Sequence, residues 1–260
     1  MNRRDALLRA GSLLLAVVLL LVWELACRLL RVPQLLLPPP SAIAVALWPG
    51  LIGGSLWPHL WATALELVLG MVAGCAMGFA AGVALGESGV LRRVLMPYVV
   101  VSQVVPKLAL APLFVLWFGF GLLPTVAITA LICFFPLLEN TATALQQVPP
   151  ERLELFRMLG ASRAQTLWRL KLPSGLPAIL AGLRVAVVLA LVGAVVGEFI
   201  SASRGLGALV IASQSTMDTP RMFAVLFLIA LLGLAAYQAT LLLERWLLLP
   251  FHRNSRGESA

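Results

Sequence analysis

Residues 70–86 read GMVAGCAMGFAAGVALG, an apolar run in which a glycine recurs every four residues. On a helix this spacing places Gly70, Gly74, Gly78 and Gly82 on one face, and a face of small residues lets a second membrane helix approach closely. We therefore predict a helix whose glycine face packs against a neighbouring helix. A glycine-lined pore is the alternative interpretation of the same face.

The whole chain has the composition of a membrane protein. Of its 260 residues, 61% are hydrophobic and 12% are charged, whereas a soluble domain carries about 25% charged residues. Several apolar runs reach the roughly 20 residues with which a helix crosses a bilayer, and helices satisfy their own backbone hydrogen bonds in lipid. The composition therefore predicts an all-α, polytopic membrane protein.

Six spans are predicted, at about residues 10–30, 58–85, 94–118, 123–146, 177–200 and 221–249. The third is interrupted by Pro97, Pro106 and Pro112, and a broken helix at membrane depth persists only inside protein or beside a watery cavity. The predicted units are an N-terminal span with a Pro-rich segment (1–57), a core with five further spans (58–249) and a tail (250–260), of which residues 253–260 are predicted to be disordered. In the Pro-rich segment, Ser41 is the predicted N-cap of a short helix.

The positive charges predict the orientation. With the N-terminus in the cytoplasm, the inner segments hold 13 Lys and Arg residues and the outer segments hold 4, and cytoplasmic loops carry the excess of positive charge. Both termini are therefore predicted to be cytoplasmic. The same loops account for the net charge of +8 without a nucleic-acid partner. The inner set is Arg3, Arg4, Arg9, Arg92, Arg93, Arg152, Arg157, Arg163, Arg169, Lys171, Arg245, Arg253 and Arg256; the outer set is Arg28, Arg31, Arg204 and Arg221.

A polar insert, residues 147–176, separates the fourth and fifth spans on the predicted cytoplasmic side. Pro150 is typical of a helix start, and Gly160 suits the left-handed position that ends a helix. Ser162 and Gln165 fit a capping box that begins a second helix. We expect this second helix to end before Pro173, because proline lacks the N–H that continues a helix.

The residues of the insert leave three interpretations open. Its cations and Trp168 suit a helix that lies on the membrane surface. A narrow apolar stripe of Leu153, Phe156 and Leu159 suits docking into a groove on a cytoplasmic partner. A DNA-binding helix-turn-helix is disfavoured, because the insert is tethered between two membrane spans.

The insert also fits a family motif, which reads Glu-Ala-Ala, three residues, Gly, nine residues, Ile-x-Leu-Pro. The matching positions are Glu154, Gly160, Leu172 and Pro173, and the departures are Leu155, Phe156 and Leu170. The chain therefore resembles the permease subunits of binding-protein-dependent ABC importers. The segments 37–42, 112–121, 134–141, 159–184 and 197–210 resemble the branch that imports nitrate, sulfonates and taurine.

The resemblance implies a mechanism and a set of partners. The insert would be a coupling helix (about 150–172) seated in a cleft of a cytoplasmic ATPase subunit. Two permease chains, as a homodimer, would assemble with two ATPase subunits and a periplasmic solute-binding protein in the inner membrane. This chain would bind no cofactor; ATP and Mg²⁺ would bind to the ATPase, since the chain lacks the GxxxxGK[ST] signature.

The coupling residues that the resemblance implies lie around the central glycine of the insert. A phenylalanine at position 156 needs a pocket or a wider cleft than the alanine of the motif, so we expect packing that is particular to this chain's partner. The implied residues are Glu154, Leu155, Phe156, Gly160, Ala161, Ser162, Leu172 and Pro173.

Charged residues inside spans are candidates for the transport pathway, because charge is costly in lipid. Lys107 follows a proline in the broken third span and either meets an anionic solute or pairs with a carboxylate such as Glu139 or with a backbone carbonyl. Glu198 either braces an outer gate or pairs with Arg204. We further expect Arg184 to snorkel or to pair with the insert. The candidate pathway residues are Pro106, Lys107, Glu139, Asn140 and Glu198.

The predicted function is that of a permease, not an enzyme, which moves a small anionic or heterocyclic solute into the cytoplasm. A pyrimidine-type vitamin precursor is an alternative substrate within the same class. A stand-alone secondary transporter is the alternative from another class, and it would require a coupling-ion site and usually internal repeats. The three cysteines lie in apolar runs and are predicted to be buried thiols, and no metal site is predicted.

Overall fold

The computed structural model describes residues 3–201 and 203–254, and all regular structure in these ranges is helical. The α-helices are α1 Arg3–Leu29, α2 Pro40–Ile52, α3 Trp57–Glu87, α4 Gly89–Val104, α5 Ala111–Phe118, α6 Leu122–Gln146, α7 Pro150–Met158, α8 Arg163–Thr166, α9 Leu172–Ser201, α10 Leu206–Ser215 and α11 Thr219–Asn254. A 3₁₀ turn at Lys107–Leu110 precedes α5, and a π turn at Leu167–Lys171 joins α8 to α9. The predicted all-α class is confirmed.

Among the described residues, four helical stretches are long and apolar enough to cross a membrane, and a fifth span is bent. The four are Trp57–Glu87, Leu122–Gln146, Arg163–Ser201 and Thr219–Leu249, and the bent one joins Gly89–Val104 to Lys107–Phe118 at 81°. These five correspond to the second to sixth predicted spans. The first predicted span lies in α1, whose first side chains are outside the described part of the chain, and most of the predicted tail, residues 255–260, also lies outside it.

The glycine row of α3 packs directly on the backbone of α6. A Cβ atom built on Gly74 or Gly78 would collide with the carbonyl oxygen of Ala130 or Phe134. Gly70 faces Thr129 in the same way, and Gly82 faces Thr141. The helices approach this closely only because one of them has no side chains along the contact. The predicted helix-packing face is therefore confirmed, and the row does not line a pore.

The core of the bundle is shared by α3, α6 and α9. Cys75 of α3 and Cys133 of α6 are buried there beside a row of small residues, Ala186, Ala190 and Ala194, on α9. These alanines allow α9 to pack closely on α6. All three cysteines of the chain are free and buried, as predicted.

The start of α2 differs from the prediction. The helix begins at Pro40, and Pro39 rather than Ser41 is its N-cap, because a proline in the first helical turn loses no hydrogen bond. The first-turn amide of Ser41 instead donates to Glu24 of α1 over 3.0 Å, and the Ser41 hydroxyl donates to the same carboxylate. Glu24 also forms an ion pair with Arg28 at 2.6 Å, and its bonds to Ser41 connect α1 to α2.

The end of the insert also differs from the prediction, because Pro173 does not stop the helix. The backbone passes through the π turn Leu167–Lys171 directly into α9, and the amide of Leu172 donates to the carbonyl of Leu167. In the π turn each amide bonds to the carbonyl five residues earlier instead of four. The helix can therefore continue past Pro173 although proline has no N–H to donate. The second helix of the insert is therefore continuous with the fifth span and forms its N-terminal end.

Substitution of Gly74 tests the backbone contact between α3 and α6. We expect Gly74→Ala to lower the unfolding temperature of the detergent-solubilised protein, because overpacking a tight contact costs about 1–3 kcal/mol. Gly89→Ala is the matched control, since a Cβ at Gly89 meets no atom within 4 Å. An unchanged unfolding temperature in Gly74→Ala, measured by the tryptophan fluorescence of both variants, would contradict the packing.

Candidate functional site

A cavity of about 540 Å³ lies beside the break in the third span, against the middle of α6 and α9. Four polar residues line it, namely Gln103, Lys107, Glu139 and Asn140. The rest of its wall is apolar and includes Phe135, Ile132, Val185, Leu189 and Val192. This volume is within the range of about 300–1,000 Å³ for small-molecule sites.

The break in the helix places Lys107 in this cavity. Val105 precedes a proline and is extended (φ −64°, ψ 125°), as the residue before proline prefers. Pro106 is also extended, and the chain then turns into the 3₁₀ segment at Lys107. Leu108 and the fully buried Ala111 pack on Ile128 and Ile132 of α6, which fixes the turn against the bundle.

Lys107 and Glu139 share the cavity without a direct ion pair between them. The Lys107 Nζ lies 4.6 Å from the centre of the Phe135 ring and donates to the carbonyl of Gln103 over 3.4 Å. The Gln103 side-chain amide donates to Glu139 over 3.5 Å. Lys107 therefore pairs with a backbone carbonyl, which was one of its predicted roles. Its side chain also lines the cavity, as contact with a solute would require. Gln103 was not predicted, although it lies one helical turn before Lys107.

Asn140 is held in the cavity wall by two contacts. Its side-chain amide donates to the carbonyl of Pro136 over 2.8 Å. Gly182 of α9 packs against the Asn140 side chain, and a Cβ on Gly182 would lie only 2.7 Å from the Cβ of Asn140. The structure thus brings together four of the five candidate pathway residues in one cavity, namely Pro106, Lys107, Glu139 and Asn140.

Glu198 lies in a different place, and it does not pair with Arg204, which was one of its two predicted roles. The Glu198 carboxylate is buried and accepts from the Thr63 hydroxyl over 2.6 Å and from the amide of Gly207 over 2.5 Å. Arg204 is exposed. The carboxylate is therefore bonded to the start of α10, where amides lack partners within their own helix.

Thr63 and His59, both on α3, complete this cluster, which was not predicted from the sequence. Thr63 accepts from the amide of Leu206 over 2.8 Å, and the ring Nδ1 of His59 lies within 3.1 Å of both the amide and the carbonyl of Gly205. His59, Thr63 and the buried Glu66 are spaced by four and three residues, so they share one helix face. That spacing was a usable signal in the sequence.

The first helix of the insert ends as predicted. Gly160 has φ +68°, the amide of Gly160 donates to the carbonyl of Arg157, and the amide of Ala161 donates to the carbonyl of Phe156, each over 3.0 Å. This is the Schellman arrangement that satisfies the last carbonyls of a helix. Ser162 and Gln165 then form the predicted capping box, with bonds of 2.8 and 3.2 Å.

The insert is attached to the end of α3 by an ion pair. The Lys171 Nζ lies 2.6 Å from the Glu87 carboxylate, and both side chains are largely shielded from solvent. Glu87 is the last residue of α3. The insert is therefore connected both to α9, through its continuous helix, and to α3.

The exposed apolar surface of the insert differs from the predicted stripe. Leu155, Met158 and Leu159 are exposed, whereas Leu153 and Phe156 are half-buried. A 3.6-residue helical period explains this set, because positions 155, 158 and 159 lie on one side. The bulky Phe156 is thus partly covered by its own chain, and Leu155 is the departure from the motif that faces outward.

Arg184 pairs with the last helix rather than with the insert, contrary to the prediction. Its Nε lies 3.3 Å from the Glu244 carboxylate of α11. The two residues join the N-terminal half of α9 to the C-terminal half of α11. This pair leaves the charge of Arg184 compensated.

Loss of the Glu198 carboxylate should destabilise the start of α10. We expect Glu198→Ala to lower the unfolding temperature in detergent, because an unsatisfied buried donor costs about 1–3 kcal/mol. Arg204→Ala is the control and should leave it unchanged, since Arg204 is exposed. Equal effects of the two substitutions in thermal unfolding would instead support the Glu198–Arg204 pair.

Comparison with known proteins assigns the chain to a family. Residues 68–248 match the family described as the inner membrane component of binding-protein-dependent transport systems, and the chain belongs to this family. It is therefore a transport subunit, the permease of an ABC importer, located in the inner membrane with several spans. The resemblance noted in the insert is confirmed by this match.

Three curated relatives cover nearly the whole chain. The riboflavin transport permease RibX of Chloroflexus aurantiacus is 42% identical, over 88% of this chain and 86% of its own length. The formylaminopyrimidine transport permease ThiX of Halalkalibacterium halodurans is 36% identical, over 91% of this chain and 94% of its own length. The taurine transport permease TauC of Escherichia coli is 33% identical, over 92% and 90%, which confirms the taurine and sulfonate branch.

A solved structure shows the same fold. A chain of the MetNI methionine ABC transporter in an inward-facing conformation superposes with a TM-score of 0.66, over 73% of this chain and 94% of that chain. The sequence identity of this pair is 20%. The likeness therefore supports the helical architecture of a permease.

Proposed function

We propose that two copies of this chain form the membrane pathway of an ABC importer, with the Lys107–Glu139 cavity on the path of the solute. A charged side chain at the middle of a span is expensive in lipid and faces protein or a watery cavity. Lys107, Glu139 and Asn140 lie on the surface of a single chain, against the middle of α6 and α9. This observation carries the proposal, because a second copy on that face would shield the polar groups from lipid.

The proposed orientation places both termini and the insert in the cytoplasm. The distribution of Lys and Arg between the loops supports it. On this side of the membrane, the exposed Leu155, Met158 and Leu159 offer an apolar surface to a soluble partner. We propose that this surface docks into a cleft of a cytoplasmic ATPase, two copies of which serve the two permease chains. ATP and Mg²⁺ would be bound by that partner.

The contacts of the insert suggest how movement of the ATPase reaches the cavity. The insert continues into α9 through the π turn, and Lys171 binds Glu87 at the end of α3. Both α3 and α9 pack closely on α6, which carries Glu139 and Asn140. A displacement of the insert would therefore move α3, α6 and α9 together, and α6 and α9 line the cavity.

The solute would be delivered by a soluble binding protein on the outer side. The names of RibX, ThiX and TauC cover a flavin, a pyrimidine and a sulfonate, so the same architecture serves small solutes of different shape. We propose a small solute of this range as the substrate. The family assignment favours this importer over a secondary transporter, which would work without an ATPase.

Substitution of Gly160 tests the docking surface. A Cβ at Gly160 meets no atom of this chain within 4 Å, so a side chain there would project into the space that the ATPase should occupy. Asparagine tolerates the left-handed conformation, whereas a β-branched residue is strained there. We expect Gly160→Asn to leave folding and membrane insertion intact and to abolish co-purification of the ATPase chain and ATP-driven uptake.

Gly54→Asn is the matched control for this experiment. Gly54 also has a left-handed backbone (φ +77°) and open space at its Cβ, but it lies on the proposed outer side. The Gly54→Asn variant should co-purify with the ATPase chain and keep ATP-driven uptake. Native ATPase binding and uptake in Gly160→Asn, or uptake by this chain in the absence of ATP, would overturn the proposed function.

A further inference from the structure

We infer that the cavity accepts a dipolar solute without net charge rather than an anion, an inference that rests on the proposed pathway. The cavity wall holds one cation, Lys107, and one carboxylate, Glu139. Its other polar groups, Gln103 and Asn140, are uncharged amides. Since a second copy would contribute both charges again, the complete pathway would also have no net charge here.

The cation of the cavity is already partly compensated. Lys107 faces the Phe135 ring at 4.6 Å and the carbonyl of Gln103 at 3.4 Å, and both contacts stabilise a positive charge. A solute with a single negative charge would compete with these contacts for Lys107. It would also meet the like charge of Glu139 in the same space, which is unfavourable at low dielectric.

No other cation of the described chain compensates Glu139. Arg184 precedes the wall residue Val185, but it is paired with Glu244 of α11. Glu139 accepts only a 3.5 Å bond from the Gln103 amide and is exposed to the cavity. Glu139 is therefore available to a donor on the solute. Lys107 has three N–H donors and uses one for the Gln103 carbonyl, so it can still donate to an acceptor on the solute.

The solute that fits has a donor or positive pole at one end and an acceptor or negative pole at the other. Two kinds of molecule share this chemistry, namely a zwitterion and an uncharged heterocycle with donor and acceptor edges. The apolar wall formed by Phe135, Ile132 and Leu189 covers the body of either one. Both poles are needed because a solute with one pole would leave the other charged side chain without a partner once a second copy shields the cavity from water.

Thiol labelling in the complete transporter tests this inference. Val185→Cys places a thiol on the cavity wall, and its rate of modification by a small water-soluble methanethiosulfonate is measured in nanodiscs without nucleotide. The native cysteines are buried, so the transporter without this substitution gives the background rate of labelling. The probes are taurine, a zwitterion; isethionate, which has a hydroxyl in place of the ammonium group of taurine and is a net anion; and cytosine, an uncharged heterocycle.

Taurine or cytosine should slow the labelling of Val185→Cys, and isethionate should not. Protection by taurine alone identifies the zwitterion as the fitting class, and protection by cytosine alone identifies the heterocycle. In Glu139→Gln, the cavity becomes cationic, so protection by isethionate should appear. If taurine protects the unchanged cavity, Glu139→Gln should weaken its protection about tenfold, the loss expected for a hydrogen bond to a charged group.

Two results would overturn the inference. One is protection of Val185→Cys by isethionate that equals or exceeds that by taurine and cytosine, and the other is the absence of protection by all three probes. A native unfolding temperature shows that Glu139→Gln is folded. Failure of the proposed pathway is distinguishable, because Val185→Cys would then label no faster than Leu234→Cys on the exposed face of α11.

Discussion

The backbone contact between α3 and α6 is the constraint on which the rest of the structure depends. Because Gly74 and Gly78 have no side chains, α3 lies against the carbonyl groups of Ala130 and Phe134. Close after Phe134 along α6 come four residues of the cavity wall, namely Phe135, Pro136, Glu139 and Asn140. At its end, α3 carries Glu87, which binds the insert through Lys171. One contact thus positions the cavity and also connects it to the insert.

Features that depend on neighbouring residues were predictable from the sequence. The glycine period, the Schellman turn at Gly160 and the capping box at Ser162 are local patterns, and the structure contains all of them. The broken helix at Pro106 was predictable for the same reason, since proline acts on its own backbone. The grouping of Lys107, Glu139 and Asn140 followed from the cost of polar groups in lipid.

Features that depend on partners far apart in the chain were not predictable. Thr63 and Glu198 are 135 residues apart, and their bond could not be chosen over the nearer Arg204. Arg184 pairs with Glu244 because α9 and α11 are neighbours, which no local pattern reveals. The continuation of the helix through Pro173 was not predictable for a different reason. The π turn before Pro173 rearranges the hydrogen bonds, and no local pattern in the sequence indicates such a turn.

The proposed transporter requires two copies of the chain whose cavities face each other and respond to the ATPase. A spin label on Val104→Cys, an exposed residue of the cavity wall, tests this most directly. Double electron–electron resonance on the complete transporter should give one distance between the two copies, and this distance should change when a non-hydrolysable ATP analogue binds. The absence of dipolar coupling, or a distance that nucleotide leaves unchanged, would contradict the account.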